Sequence, residues 1–112
     1  MIDTRYSVRD RLAADGTAET LGAVGHLRDA IAGLDLPDDA ISRAGWTVDD
    51  MEDELRRPDP DRDVMASRLW RLTEFLQGEG AAIEVGTPLF DAIAAIGAWV
   101  GPLGEALVKR LR

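Results

Sequence analysis

The sequence predicts an all-α fold: an antiparallel bundle of four to five helices with a kinked, Gly/Ala-rich C-terminal helix, forming a single domain over residues 1–112. Three observations carry this expectation. Apolar residues recur at three- and four-residue steps through four long stretches, the spacing of one helical face. Residues that start and stop helices stand between those stretches, and no alternating pattern of useful length points to a strand. The intervening loops are short, which sets helices adjacent in sequence antiparallel to one another.

Residues 1–16 form an N-terminal arm or a short helix. Ser7 and Asp10 make a capping box that could open a helix over Val8–Ala14; the alternative is an extended arm with Ile2, Tyr6 and Val8 on one side. The first main helix spans 17–34, with Thr17 as its cap, Glu19 in the first turn, and Leu21, Val24, Leu27, Ile31 and Leu34 along one face. Gly22 and Gly25 lie near this face and would admit a close helix neighbour. Gly33 and Leu36-Pro37 end the helix.

The second helix spans 38–57, capped by Asp38 or Asp39. Its stripe of Ile41, Ala44, Val48, Met51 and Leu55 passes Gly45 without losing phase, which favours one helix over a break at Gly45-Trp46. A glycine inside a helix costs only about 1 kcal/mol. Pro58-Asp-Pro-Asp61 is a tight turn, and Pro60 behind an Asp59 cap would open the third helix, 60–77. That helix carries Val64, Met65, Leu69, Leu72, Phe75 and Leu76 on one face and stops at Gly78-Glu-Gly80. Residues 81–85 could add one further turn.

Thr87-Pro88 opens the last helix, 88–111. Leu89, Ile93, Ile96, Val100, Leu103, Leu107 and Leu111 hold helical phase through it. Pro102 interrupts the hydrogen-bond ladder, so either a kink or two helices, 88–100 and 102–111, is expected.

Composition narrows the functional classes. The net charge of −8 is concentrated in residues 35–63, where eleven acidic side chains face four basic ones. A phosphate backbone would repel such a chain, so nucleic acid is not an expected partner. There is no cysteine. The first twelve residues lack the apolar run of a secretory signal, and the cytoplasm is the expected location. The basic residues are nearly all arginine, an association with GC-rich bacterial genomes.

No constellation points to an enzyme, and no cofactor or metal is expected. His26 is the only histidine and stands without a nucleophile elbow or metal-ligand pattern. Asp59-Pro-Asp61-Arg-Asp63 opens like a calcium loop, but Val64 and Trp70 occupy the positions that need Gly and Glu. The acids from Asp49 to Glu54 read as an outward helix face, one that could dock a basic partner or a neighbouring subunit through residues such as Asp50 and Glu54. Trp46, Trp70 and Trp99 lie off the best stripes of their helices, where they either sit under the flanks of a bundle or mark an interface. Gly97-x-x-x-Gly101 would let another helix approach closely. The uncharged run around it has 13 residues, too few for a bilayer span of about 20.

The pieces LPDD (36–39), DELRRPDPD (53–61), RLWRLTEFL (68–76) and AIAAIGAWVG (92–101) resemble those of small helical bacterial modules found beside effector and signalling domains in conflict systems. The resemblance implies a helical bundle and a part in defence or signalling, and it brings no catalytic residues. The expected function is a non-enzymatic protein–protein interaction or oligomerisation module, an adaptor or regulator whose partner is another protein or a second copy. Its candidate contacts are Trp46, Trp70, Trp99, Gly97, Gly101, Asp50 and Glu54. The alternative is a membrane-active effector that uses 88–111.

Overall fold

The computed structural model describes residues 16–112, and the expectations for the first 15 positions lie outside the described residues. Five helices are seen among them: α1 (Thr17–Ala32), α2 (Asp38–Leu55), α3 (Arg62–Gly78), α4 (Pro88–Val100) and α5 (Pro102–Leu111). The architecture is an all-α bundle. Helix α1 packs on α2, α2 on α3, α3 on α4, and α4 closes the ring against α1. Helix α5 lies over α3 and α4.

The periodic residues fill the core. Val24, Leu27 and Ile31 from α1 meet Ala44, Val48, Met51 and Leu55 from α2, Met65, Leu69, Leu72 and Leu76 from α3, and Leu89, Ile93, Ile96 and Val100 from α4. Each buried Leu, Ile or Met is worth about 1.5–3 kcal/mol in transfer free energy. Helix α4 buries the widest face, including Phe90, Ala92, Gly97 and Trp99, because it has neighbours on three sides.

The helix ends differ from expectation in detail. Gly16, not Thr17, is the N-cap of α1, at φ +72°, and Thr17 is buried. Gly22 and Gly25 do not serve a close approach, since a Cβ at either would meet nothing within 4 Å. Helix α2 runs unbroken through Gly45, capped by Pro37 with Asp38 and Asp39 in its first turn. Helix α3 begins behind Asp61, whose side chain accepts from the N–H groups of Asp63 and Val64 at 2.9 and 3.1 Å. Asp59 and Pro60 therefore belong to the turn. Residues 81–85 form no helical turn, although Ile83 is buried.

The C-terminal stretch takes the second of its two expected forms, a pair of helices. Gly101 adopts φ +100° and ψ −145°, a conformation nearly restricted to glycine, and splits the apolar run into two helices. Pro102 then serves as a first-turn residue of α5. Helix α5 folds back so that Gly104 rests on the backbone of Gly97. A Cβ at Gly104 would stand 2.6 Å from Gly97 Cα and nearer still to its carbonyl oxygen. The turn also rotates α5 out of phase, leaving Leu103 51% exposed while Leu107 stays in the core.

Candidate functional site

The acidic stretch of α2 divides into an inward and an outward part. Glu54, expected on the outward face, is only 3% exposed. Its carboxylate accepts the Asp61 backbone N–H at 2.9 Å and pairs with Arg57 at 3.5 Å and Arg68 at 3.8 Å. Arg68 also donates to the Asp50 carbonyl oxygen at 2.9 Å. Glu54 therefore pins the Pro58–Asp61 turn and the start of α3 to the end of α2. This corrects its assignment to the outward face: the turn folds back over a position that a helical wheel leaves at the edge of the stripe.

Asp49 and Glu52 face α1. Arg28 bridges them at 2.7 and 2.9 Å. Hydrogen bonds to Glu52 and Asp49 hold its guanidinium above its ordinary pKa, so the charge of this α1–α2 clamp is fixed. Arg56 adds a looser contact to Glu52 at 3.5 Å.

The three tryptophans take three different places. Trp99 is 8% exposed, packed near Gly16, with the Arg62 guanidinium 4.3 Å above its ring and bonded to its carbonyl oxygen. Its indole N–H has no hydrogen-bond partner among the described residues. Trp70 is half-buried. It donates to the Leu103 carbonyl at 3.3 Å and lies 5.4 Å from the Arg110 guanidinium, tying α3 to α5. Trp46 stands apart at 65% exposed, and no guanidinium covers it among the described residues.

Of the seven expected contact residues, three are engaged inside the molecule: Glu54 in its ion pairs, Trp99 in the core, and Gly97 against Gly104. Gly101 is the hinge of the α4–α5 corner, and Trp70 is the strut between α3 and α5. Only Trp46 and Asp50 share a surface, one turn apart on α2. Asp39 and Asp53 stand seven residues to either side of Trp46 and so lie on the same outward stripe, both exposed, as does exposed Arg43, one turn before Trp46. Neither they nor the Asp50 carboxylate enters an ion pair among the described residues. Asp39 and Asp53 were absent from the expected contact set; the seven-residue spacing around Trp46 was the signal that could have placed them there.

Elsewhere the surface offers less. A shallow groove between α4 and α5 is lined by Ala94, Ala98, Glu105, Val108, Lys109 and Arg112. No group of three His, Cys, Asp or Glu side chains among the described residues converges as a metal site. Among the described residues no helix is long and apolar enough to cross a membrane. Comparison with protein-family models, with curated proteins and with solved structures finds no match to this chain.

Proposed function

We propose that the chain is a non-enzymatic helical interaction module, an adaptor or regulator that docks another protein through the outward face of α2. The observation that carries this is Trp46. A large aromatic ring left two-thirds exposed on the otherwise polar outward face of a helix costs hydration free energy in the free molecule, and such rings are among the commonest anchors of protein interfaces. The helix beneath it is anchored in the core by Ala44, Val48, Met51 and Leu55 and tied to its neighbours by Arg28 and Glu54, so the ring is presented on a packed scaffold. The setting that fits is the cytoplasm of a bacterium, in a conflict or signalling system.

The membrane-active alternative requires residues 88–111 to insert as one rod. The corner at Gly101 leaves helices of 13 and 10 residues, where a span needs about 20. The interaction reading is tested by placing a photo-crosslinking side chain at position 46 of the full chain, with exposed Glu74 on α3 as the control position. The expected result is a discrete adduct to one polypeptide from position 46 alone, reproduced with the purified partner. Equal or absent crosslinking at both positions contradicts it.

A further inference from the structure

Two of the three tryptophans carry an arginine over the ring: Arg62 on Trp99 at 4.3 Å and Arg110 on Trp70 at 5.4 Å. Trp46 is the exception among the described residues, and it is the one that faces solvent. On the same face stand Asp50, one turn away, and Asp39 and Asp53, two turns away, all exposed and without ion-pair partners among the described residues, with exposed Arg43 the one cation among them. An indole face attracts a cation through its quadrupole, and a guanidinium stacked on the ring keeps its N–H fork free for a carboxylate one turn along the helix.

We infer that Trp46 is the seat for an arginine supplied by a basic segment of a different protein, with Asp39, Asp50 and Asp53 receiving that segment's flanking positive charges. This rests on the interaction reading above and names the chemistry of its partner. Charge complementarity selects the occupant. A two-fold dimer through this face would set the same aspartates of two copies against each other, a like-charge arrangement. On the stripe itself three unpaired carboxylates stand against the single guanidinium of Arg43, so its net charge is negative and its field favours an approaching cation.

The experiment titrates the full chain with a helical alanine-based peptide carrying arginines one turn apart, at low and at physiological salt, and repeats it with lysine and with glutamate in the arginine positions. Trp46→Ala, a change at an exposed position, is compared with the unaltered chain, and circular dichroism checks that both are equally helical. The expected result is binding of the arginine peptide that weakens about five- to tenfold in Trp46→Ala, weaker binding of the lysine peptide, and none of the glutamate peptide. Equal affinity of the two proteins for the arginine peptide overturns the inference, as does lysine binding as tightly as arginine. Light scattering separates the remaining outcomes. A dimer that Trp46→Ala dissolves overturns the basic-partner assignment while leaving an interaction module intact. Absence of peptide binding together with a specific crosslink from position 46 does the same, whereas absence of both brings down the interaction reading as well.

Discussion

Single side chains decide more of this structure than their place in the sequence suggests. Glu54 is a buried carboxylate with two arginine partners and a backbone N–H. Removing it takes the acceptor from the Asp61 N–H, while Arg57 and Arg68 still reach water, so Glu54→Ala is expected to lower unfolding free energy by about 1–3 kcal/mol. Urea denaturation measures this. Gly104→Ala drives a methyl group into the Gly97 backbone and is expected to cost about 1–3 kcal/mol or more. Trp46→Ala is the counterpart: it lies outside the core and should shift stability by less than about 0.5 kcal/mol. None of these contrasts could be read from residue type alone. Glu54 follows Asp53 in an acidic run, and only the fold-back of the Pro58–Asp61 turn buries it. Trp46, Trp70 and Trp99 look equivalent on helical wheels, and the neighbours that distinguish them arrive from other helices.

At the scale of the helices, local chemistry was largely legible. Thr87-Pro88 opens α4, with the Thr87 hydroxyl accepting from the Phe90 N–H at 3.3 Å. The in-phase stripe through Gly45 corresponds to one helix. The C-terminal stretch was harder to read, because its apolar phase continues across Pro102 as if the helix did. The alternatives of a kink and of two helices were both open, and Gly101 decides between them by adopting a φ that other residues rarely take. Gly101→Ala is therefore expected to destabilise the chain by about 1–3 kcal/mol and to loosen α5 from Trp70, read as a change in near-ultraviolet circular dichroism. The α1–α2 clamp is weaker, being half exposed to water. Arg28→Ala should cost less than about 1 kcal/mol, and the cost should shrink further as salt is raised.

At the scale of the whole molecule, the bundle sorts the charged and aromatic residues into those that hold it together and those that do not. The ring of α1 to α4, with α5 folded over it, absorbs Glu54, Trp70, Trp99 and the glycine pair at 97 and 104. Among what it leaves outside is the stripe of Asp39, Arg43, Trp46, Asp50 and Asp53 on α2, the one place among the described residues where an exposed aromatic stands among exposed charges. The sequence carried that stripe only as a run of acids and one of three equivalent tryptophans. Its singular position became visible once the other two had been covered. Docking through this stripe is the function proposed for the chain. Calorimetric titration of the reconstituted complex between the full chain and the polypeptide crosslinked from position 46 tests it most directly. Trp46→Ala is expected to weaken that complex about tenfold or more with no change in melting temperature. Unaltered affinity in a fully folded Trp46→Ala protein would contradict it.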